Sequence, residues 1–98
     1  MTVNAAPVRN VPPVDLDTGQ VSVGTSATLI VAERLGRRGV LIANGSSVAL
    51  YIGNSGVATN TGFKIIGTDG AGIVIPTERA IYGIVPTGTA DVSYMELF

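Results

Sequence analysis

Arg37–Asn54, RRGVLIANGSSVALYIGN, carries the strongest structural signal in the chain. Two apolar runs, Val40–Ala43 and Val48–Ile52, flank the polar tetrad Asn44-Gly45-Ser46-Ser47. Both runs are aliphatic or β-branched, and Tyr51 adds a β-favouring aromatic. Four turn-forming residues between two such runs predict a hairpin with a type I-like or bulged loop, Gly45 supplying a positive φ. Within the second run, Val48, Leu50 and Ile52 share one face, while Ala49, Tyr51 and Gly53 share the other.

Working outward, the chain reads as short strands separated by turn residues. Upstream lie Gln20–Gly24, a turn at Gly24-Thr25-Ser26, then Ala27–Glu33 and a glycine-bracketed connection, Arg34–Gly39. Ala32–Leu35 has room for a single helical turn at most. Downstream, Ser55–Gly62 is a polar loop long enough to cross between sheets, followed by Phe63–Ile66 and the turn Thr68-Asp69-Gly70. Ala71–Ile75, Arg79–Val85 and Ala90–Leu97 complete the set, with Pro76 and Pro86-Thr87-Gly88 as stops. Seven or eight short strands at regular spacing predict an all-β fold: a small antiparallel β-sandwich or jelly-roll-like barrel. Alternation within the strands places Val40, Ile42, Leu50, Ile52, Ile73, Ile75, Ile81 and Val92 in its core.

Residues 1–19 differ in kind. Pro7, Pro12 and Pro13 interrupt Val3, Val8, Val11, Val14 and Leu16, which follow no consistent period. Such a segment nucleates neither a helix nor a central strand. It is read as an extended N-terminal arm that docks on a neighbouring subunit, with residues 20–98 forming the β-sandwich domain.

With 98 residues the chain makes one small domain, 46% hydrophobic and only 13% charged. The usual charged share is about 25%. A small domain this apolar leaves greasy surface to be covered by a partner, the composition of an assembly subunit. Six basic residues are scattered among seven acidic ones, for a net charge of −1, with no basic stripe to track nucleic acid. There is no cysteine and no histidine, which removes disulfides, thiolate metal sites, the usual general base and the commonest transition-metal ligand. No apolar run reaches the length of a membrane span, and the N-terminal sequence lacks the charged start and apolar core of a secretory signal.

Four residue groups invite a chemical reading. Arg34, Arg37, Arg38 and Gly39, beside Glu33, form the sole basic cluster, an anion site in the sharp reading. The simpler reading is a solvated approach to a strand, or charge pairing with a neighbouring subunit's acids. Asp15, Asp17, Asp69, Asp91 and Glu96 supply carboxylates, but the loop glycine and further ligands of an EF-hand are missing. Gly36, Gly39, Gly53, Gly56, Gly62, Gly67, Gly70 and Gly72 follow neither the P-loop nor the dinucleotide pattern, and punctuate β-turns. Tyr51, Tyr82 and Tyr94 offer a stacking platform for sugars or bases, against packing in a core or interface. No catalytic, cofactor-binding or metal-binding residue is assigned, and no cofactor is expected.

The order of these segments resembles the small β-sandwich structural proteins of tailed bacteriophages. The resemblance runs through Gly24–Leu29 (GTSATL), Arg37–Ile42 (RRGVLI) and Val48–Gly53 (VALYIG). It continues through Gly62–Ile65 (GFKI), Ile75–Thr77 (IPT), Ala80–Ile84 (AIYGI) and Val92–Leu97 (VSYMEL), covering roughly residues 20–98. It implies a non-enzymatic virion protein, most simply a capsid decoration or cement protein. Its partners would be the major capsid protein or neighbouring copies in a homo-oligomer, with neither nucleic acid nor membrane involved. The alternative is a tail or fibre module that binds host carbohydrate or receptor.

Overall fold

A computed structural model of the protein describes residues 16–68 and 70–98. The described residues form eight strands and no helix. These are β1 (Leu16–Val23), β2 (Thr28–Val31), β3 (Gly39–Asn44), β4 (Leu50–Gly53), β5 (Phe63–Ile65), β6 (Ala71–Ile75), β7 (Ile81–Ile84) and β8 (Ala90–Leu97). They make two four-stranded sheets, ordered β1-β8-β3-β6 (sheet A) and β2-β7-β4-β5 (sheet B). Every strand pair is antiparallel.

The stretch Arg37–Asn54 folds differently from the hairpin its sequence predicts. β3 pairs with β6 and β8 in sheet A, while β4 pairs with β5 and β7 in sheet B, so the tetrad carries the chain from one sheet to the other. The side chain of Asn44 sits at this crossover, fully buried. Its Nδ2 donates to Val48 O at 2.8 Å and Ile66 O at 3.2 Å, while Oδ1 accepts from Ser46 N and Ser46 Oγ, both at 3.0 Å. These bonds tie the turn to itself and to the chain just past β5, and they hold the crossover in place. Gly45 is not among the glycines with positive φ, which are Gly36, Gly70 and Gly88. It is glycine for space: a Cβ there would lie 2.7 Å from Asp91 O, the carbonyl that accepts from Gly45 N.

Two further expectations are corrected. Ser55–Gly62 does not cross between sheets, because β4 and β5 are neighbours in sheet B. The arm assigned to residues 1–19 ends sooner: Leu16–Gly19 are the first half of β1, paired from Leu16↔Leu97 to Gly19↔Tyr94. Gly19 is poor strand material by itself. Opposite it, however, the Tyr94 ring lies where a Cβ would sit, with Oη 2.5 Å from that point, so the aromatic covers the glycine. The remainder of the expected arm, residues 1–15, lies outside the described residues.

Both sheets contribute to one core: Val23, Val40, Ile42, Ala90 and Val92 from sheet A, and Ile30, Val31, Leu50, Ile52, Ile65 and Ile81 from sheet B. A bulge between Leu29 and Val31 turns both Ile30 and Val31 inward. Gly83 makes room between the sheets, since a Cβ there would meet Ile30 Cδ1 at 2.8 Å and Leu50 Cδ1 at 3.1 Å. Of the eight residues expected in the core, six are buried. Ile73 and Ile75 pack against it but stay partly exposed, because β6 is an edge strand of sheet A among the described residues.

Candidate interaction surfaces

The basic cluster divides: Arg34 and Arg38 are exposed, whereas Arg37 is buried and held within the chain. Arg37 is 2% exposed, at one end of the core. Its Nε donates to Thr77 O at 3.0 Å, Nη2 to Arg79 O at 2.7 Å, and Nη1 to both Ala32 O at 3.0 Å and Glu96 Oε2 at 2.7 Å. A guanidinium is the one side chain able to reach four acceptors in this fan. Glu96 is buried too, and stands directly across the ladder from Asp17. Two carboxylates so placed repel. Arg34 Nη1 relieves the repulsion by donating to Asp17 Oδ2 at 2.7 Å and to Glu96 Oε1 at 3.1 Å, and its guanidinium lies 4.4 Å from the Phe98 ring centroid. The hydrogen bond to Asp17 is the main reason that Arg34 holds its proton more tightly than an ordinary arginine. Glu33 takes no part among these ion pairs; Glu78 instead accepts from Gly36 N through its carboxylate and from Arg34 N through its carbonyl. The cluster is a structural clamp that closes the connection between β2 and β3.

The other groups separate. Asp17 and Glu96 belong to the clamp, Asp91 stands on the far side of sheet A, and Asp15 and Asp69 lie outside the described residues. Among the described residues, no group of three or more acids converges. The tyrosines divide as well. Tyr94 sits on the inner face of sheet A against Gly19, whereas Tyr51 and Tyr82 point outward from sheet B. Tyr51 pairs with Ile84 two residues beyond Tyr82, which makes the two tyrosines diagonal neighbours, about 7–8 Å apart at the backbone.

The outer face of sheet A is what the fold adds. Across it, Thr18, Met95, Leu41 and Val74 stand level, with Leu16, Leu97 and Gly39 in the row below. Leu16 and Val74 are each 57% exposed, and Leu41, Met95 and Leu97 are half-buried. Ala43 stands above Leu41 beside Ser93, and a shallow depression of about 310 Å³ runs between β1, β8 and β3. Asp91, at the opposite end, is the one charged side chain that strand alternation turns outward there. The face is thus a patch of aliphatic side chains and methionine with a polar border. The sequence does hold a sign of it: Val40-Leu41-Ile42-Ala43 never alternates with polar residues, as in strands covered on both faces.

No protein-family model, curated protein or solved structure matches the chain.

Proposed function

We propose that this chain is a non-enzymatic structural subunit of a tailed-bacteriophage virion, a capsid decoration or cement protein that stabilises the head through protein–protein contacts. The observation that carries this reading is the apolar patch on the outer face of sheet A, built from Leu16, Leu41, Val74, Met95 and Leu97. Exposed patches of this kind mark interaction surfaces. Covering it with the major capsid protein or a second copy would stabilise the assembly by mass action. The strand orders β1-β8-β3-β6 and β2-β7-β4-β5 support a jelly-roll reading of the two sheets, an architecture used by viral capsid and lectin domains.

The test is a charge placed in the patch. Leu41→Arg should leave the melting temperature nearly unchanged, since a half-exposed outward residue contributes within about ±0.5 kcal/mol. It should also abolish self-association, measured as solution mass, and binding to phage heads. Full retention of both would remove the face from the mechanism. Tyr51 and Tyr82, diagonal on the outside of sheet B, favour the second reading, a tail or fibre module that stacks host sugars. A glycan array probed with the purified chain separates the two readings: a cement protein gives no signal, whereas binding lost in Tyr82→Ala belongs to a receptor-binding module.

A further inference from the structure

The outer face of sheet A is polarised along its strands. Thr18, Met95, Leu41 and Val74 form one level row across it. Asp91 stands four residues to one side of Met95 along β8, about 13 Å away. Arg38, which is exposed, stands three residues to the other side of Leu41, about 10 Å away. Its backbone N–H closes that end of the ladder by donating to Leu97 O at 2.7 Å. The apolar row therefore lies about midway between an acid and a base. The relief of the face follows the same direction. On the Asp91 side of the row it sinks into the depression of about 310 Å³, lined there by Gln20, Ala43 and Ser93. On the Arg38 side, Leu16 and Leu97 stand level with each other, Leu16 well exposed.

We infer that this face is self-complementary: a second copy packs on it about a two-fold axis that runs across the strands, along the row from Thr18 to Val74. The inference rests on the proposed function and names the partner of the same face. Charge selects the axis. A two-fold across the strands lays each strand over its counterpart and reverses its direction. Asp91 of each copy then meets the Arg38 end of the other, and two opposite-charge contacts form at the rim. A two-fold along β8 would instead set Asp91 against Asp91, a like-charge contact that opposes association. Relief selects the same axis. Leu16 and Leu97, two residues to one side of the row, fall on Gln20 and Ser93, two residues to the other, so the leucines of each copy enter the depression of its neighbour. The row meets its own image, which takes Met95, Leu41 and Val74 out of water. Sheets with nearly aligned strands pack face to face in this way, about 10 Å apart. Four strands of five to eight residues present a face of about 19 Å by 22 Å, small for a specific interface, so the dimer forms reversibly with concentration.

Charge reversal in the full-length chain is the test, with solution mass read over a concentration series. Asp91 and Arg38 are both exposed, so Asp91→Arg and Arg38→Asp should each melt as the wild type does. Alone, each variant should associate about tenfold or more weakly than the wild type, because it brings like charges together at both ends of the face. Mixed in equal amounts, the two variants should associate as strongly as the wild type, since each then meets its opposite charge. Single variants that associate undiminished, or a mixture without recovery, would overturn the inference. Tighter pairing of Asp91→Arg with the wild type than of the wild type with itself would replace this axis by the one along β8. A wild type that stays monomeric yet binds phage heads through Leu41 would remove the dimer and leave the proposed function standing. A wild type that neither self-associates nor binds heads would remove both.

Discussion

At the scale of single residues, the interior of this small protein depends on two polar side chains. Arg37 and Glu96 form a buried ion pair, and removing one member strands the other without full compensation. Arg37→Met should therefore cost about 3–5 kcal/mol in chemical denaturation. The double variant Arg37→Met/Glu96→Leu should recover much of that loss; no recovery would show that the arginine matters for the backbone carbonyls it holds, not for the carboxylate. Asn44→Leu preserves the size of the side chain but leaves Val48 O and Ile66 O without a donor, at a cost of about 1–3 kcal/mol. Arg34 adds no alkaline weakness within ordinary buffers. Its folded proton affinity is raised, so the stabilisation it provides is fully present at neutral pH and fades on the alkaline side only in strong alkali, above the usual arginine range. Neither Arg37 nor Asn44 was legible as a core residue from sequence. Arg37 finds Glu96 and Arg79 only 59 and 42 positions away, and nothing local in RRGV announces those partners.

At the scale of strands, the apolar runs were legible and their partners were not. Alternation places Leu50 and Ile52 inward correctly, and Leu50→Ala should cost about 2–5 kcal/mol in thermal or urea melts, because its fully buried side chain spans the gap under Gly83. An unchanged melting temperature would mean that β4 faces the other way. Whether β3 and β4 join in one sheet or divide between two is settled by their pairing with β6, β8, β5 and β7 and by the amide of Asn44 at the crossover, none of which periodicity can weigh. The start of β1 escaped for a similar reason. Asp17 and Gly19 disfavour a strand locally, and the segment becomes one through its pairing with β8, whose Tyr94 covers Gly19, and through Arg34 of the β2–β3 connection, which holds Asp17. Gly45→Ala is the corresponding test of the crossover. The added methyl meets backbone, the carbonyl of Asp91 at 2.7 Å, so the variant should lose about 1–3 kcal/mol without any change of φ being required.

At the scale of the molecule, the proposed role predicts silence in chemical assays. Hydrolase and transferase screens should stay at background, and melting curves in EDTA and in calcium should coincide. A loss of structure on chelation would overturn the reading of the acids as clamp and surface groups. The outer face of sheet A became visible only after pairing set Met95 beside Leu41 and Val74, since the three are far apart in the chain. The pairing of β1 with β8 has a mechanical consequence as well. Leu16 and Leu97 face each other at the same end of an antiparallel ladder that runs to Val23 and Ala90. Tension applied at those two points peels the strands apart, loading one set of hydrogen bonds at a time. Tension between Thr25 and Leu97 pulls the strands lengthwise past each other, and the whole ladder shares the load. Single-molecule pulling should therefore rupture the first geometry at a clearly lower force than the second. A domain built this way yields like a zipper to tension drawn through Leu16 and Leu97, and resists as one block the tension that loads the same ladder lengthwise.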